Sequence, residues 1–208
     1  MDATLVATGI VVQAVVWRLV ALERLPFWPA TTATFTALGI AALLAGELAC
    51  CAAGTAAGSA AVGAASGSLL FVATRAVVGI ATRYPLLRGA VAGIYRRSEE
   101  TAVAPAFVVT LAVAVPGEEL FWRGLVQPEL GIATAPLLGA VLAWLGYVGV
   151  NAASASLPLL AGSVVGGAVW TTLAVWSHGV VAPIASHVVW TGLMLAWPPA
   201  AARGKVSP

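Results

Sequence analysis

Ionisable side chains are so scarce in this chain that few folds remain open to it. Of 208 residues, 10 are Lys or Arg and 8 are Asp or Glu, or 9% in all, against 61% hydrophobic. Soluble domains carry roughly 25% charged and about 45–50% apolar residues. The polar surface needed to coat a soluble domain is therefore missing, and so is the polarity of a disordered chain. A membrane helix uses about 20 apolar residues, and with loops this length accommodates about seven spans. The expected fold class is all-α, a polytopic transmembrane helix bundle with an added interfacial amphipathic helix. The net charge of +2 excludes a basic field for nucleic acid. Adjacent Cys50 and Cys51 match neither a metal knuckle nor a redox pair and read as small core residues. Met1-Asp2-Ala3 lacks the basic start of a signal peptide, so the first apolar stretch is expected to be retained as a helix.

Charges and prolines punctuate the spans. The first runs about Thr4–Leu22 and ends in Arg18, Glu23 and Arg24. Pro26 and Pro29 mark a loop, and a second span runs about Thr31–Ala53. Gly54, Gly58, Gly63 and Gly67 follow, with two pairs spaced by four, the pattern that lets membrane helices approach closely. This stretch reads as a third helix ending near Thr82, rather than a linker, because few polar side chains dilute it. Arg83 to Glu100 mixes Arg83, Arg88, Arg96, Arg97, Glu99 and Glu100 with apolar residues, as an interfacial amphipathic helix does. A fourth span begins near Thr101, and others are expected over Ile132–Ala153, Pro158–Trp176 and Val180–Trp197. No duplication of halves, as in transporters, is visible.

Against this background one cluster stands out: Ala114-Val115-Pro116-Gly117-Glu118-Glu119-Leu120-Phe121-Trp122-Arg123-Gly124. A charge at the bilayer centre costs about 2.5–3.5 kcal/mol on insertion scales, and such charges mark functional sites by default. On a helix, Glu119 and Arg123 are one turn apart and can pair. Glu118 is turned roughly 100° away, so it can point into the bundle as a proton acceptor; the charge pattern alone also fits two glutamates at a membrane edge, solvated or paired. His187 lies deep in an apolar run and needs a polar partner, with Thr191 one turn later on its face. His178, at the start of that span, reads as interfacial. Asn151 is a third polar point, which in isolation reads as helix–helix glue more readily than as catalysis. Spacing alone leaves open whether Glu118, Asn151 and His187 converge.

At these residues the chain resembles the CPBP family, the CAAX-protease and bacteriocin-processing membrane proteins also called Abi. The first family motif is matched by Glu118-Glu119-Leu120-Phe121-Trp122-Arg123. The second is matched by Tyr147-Val148-Gly149-Val150-Asn151, with Asn151 in place of a histidine. The third is matched by His187-Val188-Val189-Trp190-Thr191, with Thr191 where asparagine is common. The resemblance covers about Thr101 to Trp197. It implies N-terminal transmembrane helices and an interfacial helix over 1–100, a family core over 101–199, and a short tail over 200–208.

The resemblance implies an intramembrane endopeptidase in which Glu118 activates water. Glu119 and Arg123 orient it, Asn151 occupies the second-motif position, and His187 with Thr191 faces the carbonyl oxygen. Family members are described both as metalloproteases and as glutamate-dependent enzymes. No cofactor is expected here. A zinc-like divalent ion, which would need Glu118, Glu119 and His187 or the recruitment of His178, is disfavoured because asparagine is a poor ligand. Thr191 offers one hydroxyl where an amide offers two N–H donors, which weakens oxyanion stabilisation. The implied partners are the lipid bilayer and a peptide or protein substrate, lipid-modified or not, and the implied location is a bacterial plasma membrane. Asn151 and Thr191 also fit a weakened or inactive relative that serves in peptide or bacteriocin resistance or as a membrane partner protein. A transporter is a third reading, motivated by the intramembrane charges and opposed by the missing repeat.

Overall fold

A computed structural model describes residues 3–45, 55–99 and 108–199, the side chains of 96–99 excepted. Cys50, Cys51, Glu47, Gly54, the side chains of Arg96, Arg97 and Glu99, Glu100, the Thr101 start of the fourth span and the tail from 200 lie outside the described residues. Within them the chain is all-helical, with eight helices. These are α1 (Ala3–Ala21), α2 (Phe27–Leu44), α3 (Ala56–Ala81), α4 (Pro85–Glu99), α5 (residues 108–133), α6 (Pro136–Ala152), α7 (Leu157–Ser177) and α8 (Val181–Ala196). Four of them, α1, α2, α3 and α7, are long and apolar enough to cross a membrane, while α6 and α8 are apolar and shorter. In chain order α1–α3 and α5–α8 fall where the seven spans were expected, although among the described residues only four of them reach spanning length and apolarity, and α4 falls where the interfacial helix was expected.

Three boundaries differ from the sequence reading, one being the end of α2 at Leu44, where the span was expected to run to about Ala53. The second helix begins at Phe27 rather than Thr31, because Pro29 lies in its first turn, where no intrahelical N–H is needed. Ile132 closes α5 instead of opening α6, which starts at Pro136. The helix reading of the Gly/Ala/Ser stretch holds: Thr55 caps α3, its hydroxyl accepting from the Gly58 N–H at 3.1 Å.

The polarity of the bundle is inverted relative to a soluble domain. Val11, Val15, Ile40, Leu43, Leu69, Val72, Val77, Leu137, Leu145 and Val165 are exposed, while Gln13, Glu118, Glu119, Arg123, Gln127, Asn151, Ser186 and His187 are buried. Water would penalise such an outer face, whereas hydrocarbon does not. Inside, Trp17, Phe35, Leu38, Phe121, Trp122, Leu125, Tyr147, Trp170 and Leu173 share one core.

Small residues set the closest helix crossings. A Cβ at Gly63 would collide with the Ala182 carbonyl, and one at Gly67 with the Ser186 carbonyl, so α3 lies directly on the backbone of α8. One of the two small-residue pairs noted in the sequence is thus an interhelical contact. Gly117 is equally confined, by the Phe35 carbonyl of α2.

Helix α5 contains two prolines and still does not break. Two π turns, Thr110–Ala114 and Leu120–Val126, separate its α-helical parts, Val115–Glu119 and Gln127–Ala133. Each π turn ends just before a proline. The Val115 N–H bonds to the Thr110 carbonyl ahead of Pro116, and the Gln127 N–H to the Trp122 carbonyl ahead of Pro128. A proline ring clashes with the carbonyl four residues back, and the wider turn moves that carbonyl aside. Glu118 and Glu119 therefore sit on one α turn bracketed by two wide ones.

Candidate active site

The Glu119–Arg123 pair expected from spacing is formed. The Arg123 guanidinium donates through Nη1 to Glu119 Oε1 at 3.3 Å, with both side chains buried. The same carboxylate oxygen lies 2.7 Å from His187 Nδ1 on α8. If Glu119 is ionised it can only accept; Nδ1 then carries the proton, and Nε2 is the ring nitrogen left for other partners. Glu119 is fully buried, and its Oε2 has no hydrogen-bond partner among the described residues.

The surrounding aromatic walls fix these groups. His187 stacks on Trp170 of α7, with ring centroids 3.6 Å apart and planes 14° apart. Arg123 lies 4.5 Å over the Tyr147 ring and 5.6 Å from the Trp170 centroid. Its Nη2 donates to the Gly167 carbonyl at 3.1 Å. A guanidinium held by a carboxylate, a carbonyl and two ring faces has one available orientation.

Glu118 is buried beside this array, and among the described residues it forms no ion pair of its own. Its carboxylate faces the Tyr147 hydroxyl, with Glu119 and Arg123 as its nearest charges. Two carboxylates thus share one guanidinium, and that guanidinium is hydrogen-bonded to Glu119.

The second-motif position behaves differently. Asn151 is buried, and its Nδ2 donates to the Tyr147 carbonyl one turn back on α6, at 2.9 Å. Its backbone carbonyl accepts from the Ser154 hydroxyl at 2.6 Å. Thr191 is half-buried and has no side-chain hydrogen bond among the described residues. His178 is exposed with φ 49°, in the left-handed region that ends α7. The structure therefore brings Glu118, Glu119, Arg123 and His187 together, and turns the Asn151 amide back onto its own helix.

Three residues around this site were not singled out from sequence for a place in it: Tyr147 as the neighbour of Glu118, Trp170 as the floor under His187, and Gln13, whose Oε1 accepts from Trp122 Nε1. Tyr147 had a local signal in its place at the head of the second motif. Trp170 had none beyond being aromatic.

A metal would need at least three suitable donors together, and among the described residues no group of three His, Cys, Asp or Glu side chains could hold one. Glu118, Glu119 and His187 do not fit: Glu119 Oε1 is bonded to both His187 Nδ1 and the Arg123 guanidinium, and an ion would have to break those bonds.

No curated protein and no solved structure matches the chain. Residues 100–193 match the family model described as Rce1-like type II CAAX prenyl endopeptidase, and this segment, which carries all three motifs, fits the CPBP/CAAX protease family that those motifs resemble.

Proposed function

We propose that the protein is an intramembrane endopeptidase in which Glu118 activates water for peptide-bond hydrolysis. One observation carries this reading: the paired glutamates are held differently. Glu119 is bonded to Arg123 and His187, while Glu118 faces the Tyr147 hydroxyl and, among the described residues, forms no ion pair of its own with the nearby Arg123. A carboxylate without its own cation is the one that can accept and return a proton.

Glu118 takes a proton from water as the water oxygen bonds to the scissile carbonyl carbon. The carbonyl oxygen becomes an oxyanion, faced by His187 Nε2 in its protonated state and by the Thr191 hydroxyl. As the C–N bond breaks, the proton on Glu118 passes to the leaving amine. Glu119 holds the imidazole in one orientation and stabilises its charged form, and Arg123 holds Glu119. No metal enters these steps. The substrate is a peptide or protein reached within the bilayer, CAAX-like and prenylated in the first instance, and the membrane is a bacterial plasma membrane.

The test is cleavage of a farnesylated CAAX-type peptide, and of the same peptide without the lipid, by the purified protein in detergent. Glu118→Gln should lower the rate by about 10²–10⁴-fold, the usual contribution of a general base. Equal cleavage by wild type and Glu118→Ala overturns the reading.

A second reading is favoured by the bond from Asn151 to the Tyr147 carbonyl: a weakened or non-catalytic relative that keeps the scaffold for peptide resistance or partner binding. Asn151→His separates the two. A large gain in cleavage marks a decayed site, whereas a loss marks asparagine as the working residue.

A further inference from the structure

The N-terminal helix α1 lies outside the matched segment, yet it reaches the site. Gln13 is 1% exposed in a helix whose other buried residues are Gly9, Trp17 and Val20. An indole N–H can only donate, and Trp122 Nε1 donates to Gln13 Oε1 at 2.9 Å. The Gln13 Nε2 has no partner among the described residues. A half-satisfied amide is a poor way to stabilise an apolar helix contact, so its effect is better sought in what it holds in place.

What it holds leads directly to Glu118. The Trp122 ring meets the Tyr147 ring edge-to-face, with centroids 5.4 Å apart and an interplanar angle of 71°. Tyr147 in turn faces the Glu118 carboxylate and carries Arg123 on its ring. One turn before Gln13, Gly9 gives Phe121 its space, because a Cβ there would meet the Phe121 ring. Helix α1 thus forms a socket for the two aromatic residues between the paired glutamates and Arg123.

We propose that Gln13 is a positioning residue for Glu118: it fixes the Trp122 indole, and Trp122 fixes Tyr147 against the carboxylate. The catalytic consequence rests on the endopeptidase reading above; the positioning does not.

The experiment uses full-length protein labelled with fluorotyrosine. Its three tyrosines give three ¹⁹F resonances, with that of Tyr147 assigned by Tyr147→Phe. Gln13→Leu should shift the Tyr147 resonance and leave those of Tyr84 and Tyr95 in place. In the peptide assay it should lower kcat by about tenfold to a hundredfold, the scale of a misplacement near one ångström, with KM unchanged. Gln13→Glu, which keeps an acceptor oxygen, should return both readouts toward wild type. In a Trp122→Phe background, Gln13→Leu should have no further effect. If Gln13→Leu does not fold, Trp122→Phe alone removes the same hydrogen bond and should shift the same resonance. An unmoved Tyr147 resonance in whichever of these variants folds overturns the proposal, as does an undiminished effect of Gln13→Leu in the Trp122→Phe background. If no peptide is cleaved by wild type, the endopeptidase reading fails, and the ¹⁹F shift still decides the positioning.

Discussion

Arg123 is the residue on which the buried charges depend. It is 4% exposed and bonds to Glu119, to the Gly167 carbonyl and to two ring faces. Removing one partner of a buried ion pair costs about 3–5 kcal/mol, while replacing both by apolar residues is often nearly neutral. Arg123→Leu should therefore depress the melting temperature in detergent strongly, and Arg123→Lys, which keeps a positive charge near Glu119, should lose less. An Arg123→Leu variant as stable as wild type would contradict this account. The pair itself was legible in the sequence, because four residues are one helical turn and that geometry is local. The bond from Glu119 to His187 was not, since it joins positions 68 apart, which no periodicity reports. The sequence pointed His187 toward Thr191 on the same face. The bundle supplies Glu119 instead, because a carboxylate satisfies a buried imidazole better than a hydroxyl one turn away.

At the scale of helices, local rules and packing compete visibly. Pro116 and Pro128 would by local rules end or kink a helix. The chain keeps α5 continuous through two π turns, and the cost is met by the contacts on either side, Gly117 against Phe35 among them. No short-range pattern announces a π turn, which is why these were not legible. The small-residue stripe on α3 was legible as a close-packing surface, though not its partner. Gly67 and Gly79 lie on the same helix and differ in surroundings: a Cβ at Gly67 collides with the Ser186 backbone, next to His187, and one at Gly79 meets nothing within 4 Å. Overpacking of this kind costs about 1–3 kcal/mol. Gly67→Ala should thus destabilise the protein by about that amount in thermal melts and reduce cleavage, whereas Gly79→Ala should do neither. Equal behaviour of the two variants would remove the α3–α8 crossing from the account of the site.

For the whole molecule, the matched segment packs its site helices against helices that lie outside it. Each of the two helices that supply site charges rests on a helix from the N-terminal half. In α5, Trp122 bonds to Gln13 of α1 and Gly117 lies on Phe35 of α2. In α8, the backbone at Ala182 and Ser186 lies on Gly63 and Gly67 of α3, and Trp190 Nε1 donates to the Thr74 hydroxyl of α3 at 3.1 Å. Exposing these surfaces to lipid would leave a buried indole N–H, and a Gly-lined crossing, without partners. In hydrocarbon no water can substitute for the lost hydrogen bonds. The association that holds the halves together is close packing and hydrogen bonding rather than hydrophobic exclusion. It should therefore survive a cut in the chain but not the loss of one half. Residues 1–99 and 100–208, expressed as separate chains in one cell, should copurify in equal amounts from detergent and restore whatever cleavage the intact protein has. Residues 100–208 expressed alone should be recovered only as aggregated or degraded material. If that piece alone purified as a stable species with the melting temperature and activity of the intact chain, the N-terminal helices would be bystanders, and the positions of Glu118 and His187 would need an explanation from within the matched segment.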